Sequence, residues 1–291
     1  MNARAWLFTA EGRLRAPWRL LFFLAATYCC GLIASIVIAP AIAFLYSVTR
    51  LRLSSEGWII VAALVGGHAT TLRFVDNRPW SDVWMDRRAA HPALLARGFL
   101  FGAFAIALPT LFLIAIGWMT LRSSASGSLG GAALRVSMVL LPAAFYEELA
   151  TRGYIFTVLR ETFGWRTTLI ATSVIFGLLH LQNSGANVES ITLVILAGVF
   201  LGGLLVATRS LYAAWMAHFA WNWTMAVVFH TAVSGLALES PDYRYVDAGP
   251  DWATGGVWGP EGGAAGGLGM LGGLAYLYAR RNSRRRELPD E

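Results

Sequence analysis

Glu147, Glu148 and Arg152 interrupt a stretch that is otherwise apolar, and later apolar runs carry His180, His218 and Asn222. A charge within a membrane helix costs about 2.5 to 3.5 kcal/mol on insertion scales, so three together require a purpose. Glu148 and Arg152 stand four residues apart, on one helix face, where they can pair and fix the guanidinium. Glu147 has no local partner of that kind. His218 and Asn222 share a face by the same spacing. A carboxylate, two imidazoles and an amide brought together suit hydrolysis of a peptide bond. The carboxylate takes a proton from water, and N–H donors stabilise the oxyanion that forms. On this reading Glu147 and His180 polarise the water, while His218 and Asn222 donate to the developing negative oxygen. The same residues allow a second chemistry, in which Glu147, His180 and His218 hold a zinc ion whose bound water attacks.

Such residues need elements to carry them, and the composition says what kind. Of 291 residues, 56% are hydrophobic and 14% charged, with mean hydropathy +0.55. Soluble chains run at roughly 45–50% apolar and about 25% charged, so this one lacks the charges of a water-facing surface. Disordered, collagen-like and disulfide-stapled chains are excluded on the same numbers. Cys29 and Cys30 are adjacent, have no partner elsewhere in the chain, and read as small packing residues.

Seven uncharged runs, and the apolar stretch that Glu147, Glu148 and Arg152 interrupt, predict eight spans, at about 20–46, 57–73, 98–119, 136–159, 167–182, 190–208, 211–231 and 263–279, most near the roughly 20 residues a bilayer demands. The first run exceeds the roughly 7 to 15 residues of a signal-peptide core and reads as a retained helix. The expected fold class is therefore all-α, a polytopic membrane bundle of about eight transmembrane helices. Glu147, His180 and His218 fall 13, 14 and 9 residues from Arg160, Arg166 and Arg209, which predicts one shared polar layer. Gly262 with Gly266, and Gly269 with Gly273, give the last span small residues for close helix packing.

All 23 basic residues are arginine, and most flank the spans. That pattern reads as a topology signal, and the net charge of +6 is not read as a nucleic-acid footprint. Counting alternate loops puts 17 arginines on the side of both termini and 5 on the other, with Arg152 inside. Both termini are expected in the cytoplasm. Residues 1–19 form an amphipathic cytoplasmic segment, expected as a short interfacial helix from Trp6, Leu7, Phe8, Leu14 and Trp18, or as a loose tail. Residues 20–279 form the bundle and 280–291 a basic tail. The loop at about 232–262, with Glu239, Asp242, Asp247, Asp251 and Glu261, reads as solvated. His68 and His230 read as structural or interfacial groups, and His91 as solvated.

The stretches Glu147-Glu148-Leu-Ala-Thr-Arg152-Gly153, Phe176-Gly-Leu-Leu-His180 and His218-Phe-Ala-Trp-Asn222 resemble the three motifs of the CPBP family. These are CAAX-prenyl-endopeptidase-like and bacteriocin-processing membrane proteases, also called Abi. The resemblance runs from about 142 to 233, and the N-terminal stretch Gly12 to Arg19 loosely resembles the start of bacterial members. It implies an eight-helix bundle whose active site opens toward the cytoplasm. It also implies that Glu147 and His180 activate water, Glu148 and Arg152 orient the site, and His218 and Asn222 form the oxyanion hole. A glutamate-type mechanism without a cofactor is expected, with zinc as the alternative. The expected partners are membrane lipid and a peptide or membrane-protein substrate, with no nucleic acid. The lysine-free composition suggests a GC-rich bacterial source and the plasma membrane. Two other functions compete: a non-catalytic module such as an immunity or scaffold protein, and a proton-coupled transporter using the same Glu and His groups.

Overall fold

The computed structural model describes residues 6–49, 54–123, 129–238 and 243–286. Arg4, Arg50, Arg52, Glu239, Asp242 and the end of the basic tail lie outside the described residues.

Helix α1 (Ala16–Thr49) carries Pro17 in its first turn, where a missing N–H costs nothing. Before it, Trp6 and Leu7 are helical, and the chain then turns back on itself. Phe8 and Leu14 pair in an antiparallel bridge, and Gly12 takes φ 74°, a left-handed conformation that closes a tight turn. Helix α2 (Ser55–Thr71) runs into a π-helical turn (Leu72–Asp76). Helix α3 (Pro92–Ala115) is capped by His91, whose Nδ1 accepts the Ala93 N–H at 3.2 Å. Strands β1 (Met119–Ser123) and β2 (Tyr243–Asp247) form a small antiparallel ribbon with Met119 opposite Asp247.

Helices α4 (Leu129–Arg152), α5 (Tyr154–Leu178), α6 (Val188–Thr208) and α7 (Leu211–Trp223) follow, the last running into a second π-helical turn (Thr224–Val228). After a single-turn α8 (Asp251–Thr254), α9 (Ala264–Arg286) ends the described chain. Among the described residues, five helical stretches are long and apolar enough to cross a membrane, counting α4 and α5 as one. The protein is an all-α polytopic membrane protein, and its long helices follow the order of the expected spans.

Two boundaries differ from expectation. The fourth span, expected at 136–159, starts earlier and breaks at Gly153. There the His68 ring enters: its Nδ1 lies 2.7 Å from the Leu64 carbonyl and its Nε2 accepts the Tyr154 N–H at 2.8 Å. A Cβ on Gly153 would overlap that ring. His68 is thus structural, capping α5 from inside the bundle. The fifth span, expected at 167–182, ends at Leu178 and is bent at Gly164, whose φ of 76° and ψ of 164° are not helical. Arg19, counted above as a topology residue, is buried. It pairs with Asp76 at 2.7 Å and Glu161 at 2.8 Å, tying α1 to α2 and α5.

The core sits where α3, α4, α6 and α7 meet, around Ile106, Leu140, Phe200, Leu204 and Met225. Close approach of α3 to α7 rests on Gly98 and Gly102, where an added Cβ would overlap the carbonyl oxygens of Ala213 and Ala217. Because α7 carries His218 and Asn222, this contact sets the depth of the site. Gly102→Val should therefore cost about 1–3 kcal/mol through overpacking. The midpoint of thermal unfolding in detergent should fall, while Gly130→Ala, at a position with open space, should leave it unchanged.

Candidate active site

Helix α4 delivers three polar side chains to the bundle interior. Glu148 is 0% exposed, and its Oε1 lies 2.6 Å from Arg152 Nη1 and 3.0 Å from His218 Nδ1. The helical pair expected from spacing is present, and His218 from α7 joins it. Arg152 is held on two further sides. Its Nη2 donates to the Gly198 carbonyl of α6 at 3.1 Å, and its guanidinium lies 4.8 Å from the Phe176 ring centre. Facing an arginine and an imidazole, Oε1 of this buried carboxylate is satisfied by charge-assisted hydrogen bonds, the condition under which such groups persist in apolar surroundings.

Helix α7 is positioned at its start by Ser210, whose hydroxyl accepts the Ala213 N–H at 3.0 Å and donates to the Ala89 carbonyl at 2.6 Å. Further along, Trp215 Nε1 donates to the Leu141 carbonyl of α4 at 2.9 Å. These contacts fix the height at which His218 and Asn222 face α4. His180 is placed differently from the expectation that it ends a span: α5 stops at Leu178, and His180 sits in the following turn. Its backbone N–H donates to the Gly177 carbonyl at 3.0 Å, and its Nδ1 lies 2.8 Å from the Phe176 carbonyl.

Glu147, without a partner on its own helix, gains two across the bundle. Its Oε2 lies 3.9 Å from His180 Nε2 and 3.7 Å from His218 Nε2. Both gaps exceed a hydrogen bond, and a water beside either pair, not between its atoms, could touch Glu147 Oε2 and a ring nitrogen together. Two oxygen partners fix the tautomers, since a ring nitrogen facing a carbonyl or carboxylate carries its proton. In a neutral ring the proton therefore sits on Nδ1 of His180 and of His218, leaving each Nε2 toward Glu147. Asn222, 9% exposed, lines a cavity of about 30 Å³ with His180, His218, Phe176, Ser234 and Glu261. Glu147 does not line it. Contacts thus link Glu147, Glu148, Arg152, His180 and His218 across α4, the turn after α5, and α7, and Asn222 shares the cavity with His180 and His218. Among the described residues, no set of three or more His, Cys, Asp or Glu is placed to share a metal ion.

Glu261 was missed by the reading of the acidic loop as solvated. It is 7% exposed. Its Oε2 accepts the indole N–H of Trp221 at 2.9 Å, and its Oε1 accepts the Ser234 N–H at 2.6 Å and hydroxyl at 2.7 Å. Asn183 Nδ2 donates to the Ser234 carbonyl at 3.0 Å. The loop segments around Ser234 and Glu261 are therefore pinned over the cavity, to the residue beside Asn222 and to the turn after His180. No local sequence signal distinguishes Glu261 from its acidic neighbours, because its partners come from elsewhere in the chain. Glu261→Ala leaves the buried Trp221 indole N–H unpaired, at about 1–3 kcal/mol, together with two half-buried Ser234 donors. Protease nicking between 231 and 263 should become faster in that variant, with the bundle helices still intact.

Residues 129–224, which run from α4 to the start of the π-helical turn after α7 and contain all six residues, match the model of the Rce1-like family, type II CAAX prenyl endopeptidase Rce1-like. No curated protein and no solved structure matches the chain.

Proposed function

We propose that this chain, whose residues 129–224 match the Rce1-like family model, is an endopeptidase of the CAAX-type membrane protease family that uses Glu147 and His180 to activate water. The observation that carries this reading is the pair of gaps, 3.9 and 3.7 Å, between Glu147 Oε2 and the two Nε2 atoms. A water beside the first pair would give one proton to Glu147 while its oxygen attacks the peptide carbonyl carbon. The carbonyl oxygen takes the negative charge and accepts from the Asn222 amide and from His218. With Nδ1 committed to Glu148, His218 donates from Nε2 only when both ring nitrogens carry a proton. On collapse of the tetrahedral intermediate, the proton on Glu147 passes to the leaving amine. Arg152 and Glu148 act through His218 and are positioning residues.

The count of seventeen arginines against five supports a cytoplasmic position for both termini. A bacterial plasma membrane fits the lysine-free composition. The cavity of about 30 Å³ has room for water and not for a peptide. Substrate entry therefore requires side chains around it to move.

The test is terminal-peptide mass spectrometry on membranes holding wild type or Glu147→Gln at matched levels. New peptide termini found only with wild type are expected and supply the substrate. Identical termini would point instead to a non-catalytic module. With a substrate in hand, a strong chelator should leave the rate unchanged; loss restored by zinc would replace the glutamate mechanism with a metal one.

A further inference from the structure

A large lateral groove of about 1850 Å³ lies apart from the candidate active site, between α3, α6 and α9, with Trp165 and Leu169 of α5 at its side. Its wall is almost wholly apolar. Leu100, Phe104, Leu108 and Phe112 of α3 are 51 to 64% exposed and face it. Helix α6 separates groove from site: Gly203, Val206 and Ala207 line the former, while Val194, Ala197 and Leu201 line the active-site cavity.

One end of the groove is strongly basic. The register of the helices places four arginines there. Gly269 of α9 meets Ala105 of α3, and Gly273 meets Phe101, so these helices run antiparallel and Arg97 comes level with Arg280 and Arg281. Gly203 of α6 meets Leu274 and Leu277, which brings Arg209, the residue after α6, to the same level. All four line the groove, and Trp118 and Trp252 stand at its opposite end. From Arg97 to Trp118 along α3 is roughly 30 Å at helical rise, about the hydrocarbon thickness of a bilayer.

We propose that this groove binds an anionic phospholipid, its phosphate held by Arg97, Arg209, Arg280 and Arg281 and its acyl chains along α3 and α9. Charge complementarity selects this occupant. Guanidinium groups match phosphate oxygens in bidentate geometry, and basic pockets between membrane helices on the cytoplasmic side recognise anionic headgroups. The volume exceeds the roughly 300–1,000 Å³ of small-ligand sites and suits a two-chain lipid. Gly272 gives the floor its openness: an added Cβ there meets nothing within 4 Å.

Full-length protein is reconstituted in equal parts phosphatidylglycerol and phosphatidylcholine, extracted in mild detergent, and its retained lipids counted by native mass spectrometry. Wild type should keep phosphatidylglycerol in preference to phosphatidylcholine. The combined Arg97→Gln, Arg209→Gln, Arg280→Gln and Arg281→Gln variant should lose that preference by about tenfold or more. Gly272→Leu fills the floor without a clash and should lower retention of both lipids with every arginine in place. Arg87→Gln with Arg88→Gln, in the loop before α3 and outside the groove, should change nothing. Equal retention of the two lipids by wild type would overturn the proposal. So would a loss with Arg87→Gln and Arg88→Gln as large as that of the groove variant, or full retention by Gly272→Leu. None of these readouts depends on proteolysis.

Discussion

Glu147→Gln should lower kcat on an identified substrate by about 10²–10⁴, the range a general base contributes. Glutamine keeps the shape and still accepts a hydrogen bond, so a bridging water stays near His180 Nε2 while the group that takes its proton is gone. KM should change little, because Glu147 does not line the cavity with Asn222 and His218. His180→Ala should fall in the same range. The double variant should be little worse than either single one, because groups that act as one unit are not additive. Rates are measured in reconstituted vesicles against a reporter of the cleaved bond. A Glu147→Gln enzyme within threefold of wild type would remove Glu147 from the chemistry.

Arg152→Met should produce the largest loss of stability of any substitution at the site, about 3–5 kcal/mol, because it leaves a carboxylate that is 0% exposed without its main counter-charge. Glu148 would keep only His218, and its Oε2 already has no hydrogen-bond partner among the described residues. The thermal unfolding midpoint in detergent should drop sharply. Glu148→Gln combined with Arg152→Met should recover much of that drop, since neither half of the pair then remains charged. Arg152→Lys should fall in between: an ammonium can meet Glu148 Oε1 but cannot also reach the Gly198 carbonyl and stack on Phe176 in planar geometry. A double variant no more stable than Arg152→Met would mean that the ion pair is not the source of the loss.

The amino-acid sequence by itself determined the membrane class, the order of the helices and the pairs that one helix face provides. Those are local matters. The length of an uncharged run decides whether a helix can span a bilayer, and four-residue spacing decides that Glu148 meets Arg152 and that His218 stands over Asn222. The six candidate residues stood out because charges and imidazoles in apolar sequence are costly enough to be noticed. Tertiary structure decided what those residues touch. Gly153 ends α4 because the His68 ring, 86 residues from Tyr154, occupies the space a Cβ would need. His180 leaves its helix and turns its Nε2 to Glu147, and Glu261 leaves the acidic loop for the cavity roof. The His68 cap and the Glu261 contacts depend on hydrogen bonds between residues far apart in the chain, and the approach of His180 to Glu147 depends on how α4 packs against the turn after α5. No run length or periodicity encodes either, because the partner is chosen only when the helices pack.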